Sequence, residues 1–192
     1  MSHIRPAVFL DRDGTLNVDR SYITRPEDLE LLPGVAAAVA RLQRAGFACV
    51  VVTNQSGVGR GLMTDADLDR VHTELARKLA ADGVVLDGIY ACTFAPSTTD
   101  KLAAEHPDRK PAPGLLLRAA RDLNLDLAAS WMVGDTLRDI LAGQRAGCRG
   151  CVMVRSGHPI VEAEFSRAEP FALLDDLPAA VGWILATHAE SA

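Results

Sequence analysis

Ala7-Val8-Phe9-Leu10-Asp11-Arg12-Asp13-Gly14-Thr15 is the stretch on which the reading of this chain turns. Four apolar residues give way at once to carboxylate, cation, carboxylate, glycine and hydroxyl, the pattern of a buried strand that stops at a polar tip. Two carboxylates at i and i+2 can face one site if the strand breaks between them, and Gly14 permits that sharp exit. Holding two negative charges there is costly unless a cation neutralises them, and oxygen-rich sites are what magnesium prefers. In an open parallel sheet, ligands bind outside the carboxyl ends of the strands, so this tip is a candidate site.

Outward from it, further short apolar runs, Ala48 to Val52, Gly88 to Phe94, Ser130 to Val133 and Gly150 to Val154, alternate with helix-patterned segments. That alternation predicts βαβ units feeding a parallel sheet. Helices are expected over Val35 to Ala45, over Asp65 to Asp82 behind a Thr64/Asp67 capping box, and from Pro113 to about Asn124. Two more are expected over Thr136 to Ala146 and Pro178 to Ala189, with Gly147 as a left-handed cap. The fold predicted is a three-layer α/β/α sandwich around a Rossmann-like, five-strand parallel sheet with the first strand central. At 192 residues it is expected to be a single domain spanning 1–192. Ala95 to Pro113 lacks periodicity and suits a functional loop, whereas Ser156 to Pro170 offers no chemical reading beyond covering a sheet edge.

Two other strand ends carry polar groups. Thr53-Asn54-Gln55-Ser56-Gly57 supplies hydroxyl, amide and glycine groups suited to phosphate oxygens. Gly134-Asp135-Thr136-Leu137-Arg138-Asp139 puts Asp135 at a tip, where it can complete a metal site, with Asp139 one helical turn on. Between them, Arg109-Lys110-Pro111 brings positive charge to a loop that Pro111 and Pro113 are expected to hold extended, and Lys110 can offset phosphoryl charge. Each piece alone is ordinary: Asp-Gly after a strand usually makes a turn, and an Asp at a helix start is usually a cap. Their joint occurrence is not ordinary, since Asp-x-Asp-Gly-Thr alone arises roughly once in 10⁵ starts at average residue usage.

Composition narrows the partners. Hydrophobic residues make up 48% and charged residues 23%, with a net charge of -5 and no clustering of Lys or Arg, so neither nucleic acid nor an anionic membrane surface is an expected partner. No apolar run approaches the ~20 residues of a membrane helix. Four cysteines and no basic-then-apolar leader point to the cytoplasm. The Cys148-x-x-Cys151 spacing lacks a second ligand pair, and none of the histidines His3, His72, His158 and His188 has a sequence neighbour that recommends it as a base. The oligomeric state is left open, a monomer included.

In this order the motifs resemble the haloacid dehalogenase superfamily, over about residues 7 to 155. The resemblance implies that Asp11 is the nucleophile, that Asp13 is the general acid and base, and that Thr53 and Lys110 hold the phosphoryl group. It implies magnesium bound by Asp11, Asp135 and the backbone carbonyl of Asp13. For acid catalysis the carboxylic acid form of Asp13 must persist near neutrality, favoured by nearby negative charge. Only about forty residues separate Asp11 from Thr53, and one helix, one strand and a loop fill the interval from Thr53 to Lys110, so the cap domain is minimal or absent.

Within that superfamily, Asp11 to Asn17, Thr53 to Gly61 and Arg109 to Gly114 resemble the D,D-heptose 1,7-bisphosphate phosphatases. The histidinol-phosphate phosphatases are their near relatives. The substrate-contacting segments of the family match Asp19-Arg20-Ser21-Tyr22, Thr53-Asn54-Gln55-Ser56 and Arg109-Lys110, with Arg109 reading a second phosphate or a hydroxyl. The resemblance implies a magnesium-dependent phosphatase that releases the 7-phosphate of D-glycero-D-manno-heptose 1,7-bisphosphate through an aspartyl phosphate. Histidinol phosphate or another small phosphomonoester is the alternative within the class. A catalytically silent phosphate-binding module is the alternative outside it, and would lack the nucleophile that Asp11 supplies. The family's zinc loop departs here: Cys92-Thr93-Phe94 and His106-Pro107-Asp108 stand in its place. Only Cys92 keeps a family ligand, so zinc is not expected, and whether Cys92 and His106 retain any metal binding is left open.

Overall fold

The computed structural model describes residues 4–160, 165–168 and 170–189. His3 and part of the Ser156 to Pro170 segment lie outside them. Six strands form one parallel sheet: β1 (Arg5–Leu10), β2 (Ala48–Asn54), β3 (Gly88–Cys92), β4 (Leu125–Gly134), β5 (Gly150–Val154) and β6 (Ala172–Leu174). Their spatial order is β3-β2-β1-β4-β5-β6. The helices are α1 (Val35–Arg44), α2 (Ser56–Gly59), α3 (Asp65–Ala80), α4 (Gly114–Leu123), α5 (Leu137–Ala146) and α6 (Leu177–Ala189).

The strict alternation of a strand explains the three layers. In β1, Val8 and Leu10 point to one side, against α1, α3 and α6, through residues such as Val39, Leu75 and Val181. Ala7 and Phe9 point to the other, against α4 and α5, through Leu116 and Ile140. Both faces are sealed, which is why β1 reads as a continuous apolar run rather than an alternating one. The helices start and stop where their chemistry dictates. Thr64 and Asp67 exchange backbone-to-side-chain hydrogen bonds of 3.1 and 2.8 Å at the start of α3. Gly147, with φ of 82°, closes α5.

Five strands were expected and the described residues form six. β6 is only three residues long, paired to β5 through Val152↔Ala172 and Val154↔Leu174, too short for a periodicity signal. β4 begins five residues before the expected Ser130, and β3 ends at Cys92 rather than Phe94. The four-residue helix α2 was also unforeseen. Between β1 and α1 the chain makes only a tight flap, with Gly14 N–H donating to Asn17 C=O at 2.8 Å and a bridge between Asn17 and Leu31, then one 3-10 turn at Pro26–Asp28. Among the described residues no cap domain stands over this side of the sheet. No helix among the described residues is long and apolar enough to cross a membrane.

Candidate active site

The parallel sheet places the carboxyl ends of β1, β2 and β4 side by side, and a cavity of about 320 Å³ opens above them. Every site residue expected from the sequence lines it except Arg20. Arg20 instead turns outward to an exposed ion pair with Glu30 at 2.7 Å. Arg138, Asp139 and His158 line the cavity without having been expected there.

Asp11 follows the last residue of β1, its N–H bonded to Val133 C=O at 2.9 Å. Its Oδ1 accepts from the Arg12 N–H at 2.7 Å and lies 2.8 Å from Lys110 Nζ. The buried Lys110 ammonium also reaches Asp139 Oδ1 at 2.6 Å and donates to Val52 C=O at 2.7 Å. Lys110 is set in place by Asn54, whose Oδ1 accepts from Lys110 N–H at 3.0 Å and whose Nδ2 donates to Lys110 C=O at 2.9 Å. Both ends of the Asn54 amide are thus spent on the loop that carries Lys110. That loop is a run of turns rather than the extended stretch expected, with Arg109 N–H bonded to His106 C=O and Ala112 N–H to Arg109 C=O; the Lys110–Pro111 peptide is cis.

Asp11, Asp135 and Asp139 each present an oxygen within 4.8 Å of the others. Burial pushes the Asp11 carboxyl up to about 7; Lys110 pulls against this, while the charges of Asp139 and Asp135 add to it. Asp139 is also buried, but the Lys110 charge and hydrogen bonds from Lys110 and Thr136 carry it below the usual carboxylate range. Asp135 Oδ1 is buried with no hydrogen-bond partner. Three crowded carboxylates, one orphaned oxygen and an all-oxygen donor set fit a hard divalent cation such as magnesium.

Asp13 departs from expectation. Burial raises its carboxyl, but the Arg12 guanidinium and hydrogen bonds from Asn17, Arg12 and Gln55 more than reverse that, holding it below the ordinary value. Arg12 Nη2 lies 2.9 Å from Asp13 Oδ2, Asn17 Nδ2 2.9 Å from Oδ1 and Gln55 Nε2 2.8 Å from Oδ2. The sequence suggested that negative neighbours would keep Asp13 protonated; instead the buried cation beside it favours the carboxylate. Gln55, expected to contact substrate, also donates to Thr53 Oγ1 at 2.9 Å and accepts from Arg12 Nη2 at 2.9 Å.

On the rim, Asp19, Ser21 and Tyr22 come from the flap, Ser56 from α2 and Arg109 from the loop before α4. Arg109 Nη1 donates to Phe94 C=O at 3.1 Å. Sequence reasoning missed two partners. Asp139 lay inside a quoted motif and could have been found as the residue one turn beyond Asp135; His158 lies in an aperiodic loop and left no signal.

A family model described as HAD-hydrolase-like matches residues 108–180. The D-glycero-beta-D-manno-heptose-1,7-bisphosphate 7-phosphatase of Photorhabdus laumondii is 42% identical over 92% of this chain and 95% of its own length. The enzyme of the same name from Escherichia coli K12 is 44% identical over 92% and 93%. This chain belongs to the D,D-heptose 1,7-bisphosphate phosphatase family. A crystal structure from that family, the D,D-heptose 1,7-bisphosphate phosphatase of B. bronchiseptica complexed with magnesium and phosphate, superposes with a TM-score of 0.82 at 34% identity, covering 95% of this chain and 99% of that one. The sheet order explains why the three strand tips converge, since it sets β1 between β2 and β4.

Cys92 and His106 stay close, Sγ to Nδ1 at 3.8 Å, but His106 Nδ1 already takes the Asp108 N–H at 3.1 Å. Among the described residues no third Cys, His, Asp or Glu joins them in a metal-like group. Cys151 is buried and Cys148 half-buried, and desolvation raises both thiols, Cys151 to about 12, which disfavours the thiolate.

Proposed function

We propose that this chain hydrolyses D-glycero-D-manno-heptose 1,7-bisphosphate at the 7-phosphate, through an aspartyl phosphate on Asp11 and with magnesium as cofactor. The observation that carries the mechanism is the buried ammonium of Lys110, which lines the cavity and is held 2.8 Å from the Asp11 carboxylate. The substrate is supported by the names and 42–44% identity of the relatives above.

An oxygen of Asp11 attacks phosphorus as the bond from phosphorus to the sugar oxygen breaks, and Asp13 gives its proton to that alkoxide. Water then attacks the same phosphorus, delivers a proton back to Asp13, and orthophosphate leaves as the bond to Asp11 breaks. Asp13 must be protonated when the cycle begins, although Arg12 opposes this in the free protein. The negative phosphoryl group, arriving on the other side, supplies the missing bias. Gln55 and Asn17 hold the Asp13 carboxyl still through both proton transfers. Thr53 and Lys110 bind the transferring oxygens, and Arg109 meets the far end of the sugar. Asp11, Asp135 and the Asp13 carbonyl would hold magnesium, which would screen charge between the attacking carboxylate and the phosphoryl oxygens. The cytoplasm is the compartment proposed, with no nucleic-acid or membrane partner.

The test is magnesium-dependent release of phosphate across a panel of phosphorylated sugars, histidinol phosphate and nucleotides, compared by kcat/KM. The heptose bisphosphate should lead, and Asp11→Asn should abolish turnover with the fold intact. Retained turnover in that variant excludes the mechanism; a panel led by histidinol phosphate or nucleotides excludes the substrate.

A further inference from the structure

Three consecutive residues after β5 close over the acidic cluster. Ser156 Oγ donates to Gly14 C=O at 2.7 Å, tying this segment to the flap of the first motif. Gly157 lies so near Asp135 that an ideal Cβ there would sit 2.0 Å from Oδ2, so only glycine fits. His158 then places two nitrogens on one oxygen: its N–H and its Nδ1 are each 2.8 Å from Asp135 Oδ2. The same imidazole is 3.4 Å from Asp19 Oδ2 on the flap. Asp135 is 1% exposed, and its other oxygen, Oδ1, has no partner.

The terminal torsion of an aspartate is broad and nearly two-fold, so a carboxylate on a strand tip does not by itself choose which oxygen faces a cation. Two donors from one residue remove that freedom. We propose that His158 is a positioning residue: it anchors Oδ2 of Asp135, thereby presenting Oδ1 to the divalent cation, and joins this ligand to the flap through Asp19. The inference rests on the reading of Asp135 as a magnesium ligand. Groups that hydrogen-bond a metal ligand orient it and raise its affinity, and losing one typically weakens binding about 10- to 100-fold. The backbone N–H of residue 158 survives any substitution, so the imidazole accounts for the lower end of that range.

The test is calorimetric titration of magnesium into the metal-stripped full-length protein, without substrate. His158→Ala should raise the magnesium Kd about tenfold. His158→Asn, whose amide can donate from near the Nδ1 position, should recover most of the loss. The magnesium concentration giving half-maximal phosphatase activity should move in parallel. The side chain of His158 is 44% exposed, so melting in a chelator should be unchanged; should His158→Ala melt early, the His158→Asn and His158→Gln pair carries the comparison, Asn binding magnesium more tightly. A Kd within twofold of the parent in His158→Ala, or equal Kd values in that pair, overturns the proposal. Asp135→Asn separates the two levels. If it binds magnesium as tightly as the parent, the ligand assignment itself fails; if it loses binding while His158→Ala does not, only the role of His158 falls.

Discussion

Lys110 Nζ, from the loop before α4, lies 2.6 Å from Oδ1 of Asp139, a residue of α5 almost wholly buried with it. The same ammonium serves Asp11 at 2.8 Å, so one cation stands between two carboxylates that would otherwise repel. Burial of such a set is tolerable only while its charges are paired.

Replacing that cation exposes the imbalance. Lys110→Met should lower stability by about 3–5 kcal/mol in a chelator, since it leaves buried carboxylates unpaired. Magnesium should return part of the loss because it binds the folded state alone. Thermal melts with and without magnesium check both statements, and on the proposed mechanism, in which the ammonium also holds the phosphoryl oxygens, kcat should fall by at least about 10².

Gly134 is the close-approach point of the same cluster. A Cβ there would lie 2.4 Å from Asp139 Cβ and Cγ. Gly134→Ala should therefore push Asp139 off Lys110 and cost about 1–3 kcal/mol by overpacking, with a parallel fall in kcat. Urea unfolding read beside the phosphate assay gives both numbers.

On the proposed mechanism, Asp13→Asn removes the proton carrier while keeping the shape of the site. The expected loss is about 10² to 10⁴ in kcat, with substrate binding largely retained. It also deprives Arg12, which is 1% exposed, of its carboxylate, so denaturant unfolding should show a loss of stability as well.

His72, on α3, gives a pH signature. Burial pushes its imidazole down to about 4, the Arg12 charge adds to this and Asp13 opposes it. Between the ordinary value of about 6.5 and about 4 the unfolded chain therefore binds more protons at this residue than the folded one. The stabilising difference is complete above the unfolded value and drains away as pH falls through that window. His72→Gln should remove this share of the slope, which urea titrations of parent and variant at pH 7.5, 5.5 and 4.5 will show as a narrowing gap.

Zinc should be absent in stoichiometric amount from purified protein. The Cys92 and His106 pair offers two ligands where structural zinc takes four. Metal analysis by mass spectrometry checks this, and a zinc chelator should leave the melting temperature unchanged.

Much of this was legible from residues alone because the signals are local. Apolar runs mark β1, β2 and β5, the Thr64/Asp67 pair marks the start of α3, and Gly147 marks the end of α5; each depends on a few neighbours in sequence. The polar tips after Leu10, Val52 and Val133 located the site, since a parallel sheet gathers its carboxyl ends on one edge. β6 and α2 escaped because three or four residues carry no period.

The amino-acid sequence by itself determined the sheet, its central strand and which residues crowd one edge. Only the tertiary structure decided what each carboxylate does there. Asp13 meets Arg12, Asn17 and Gln55, Asp139 meets Lys110, and Asp135 meets His158. Protonation and orientation depend on charges and donors within a few ångströms, and Gln55 stands 42 residues from Asp13 and His158 23 residues from Asp135, approaches that no local pattern encodes.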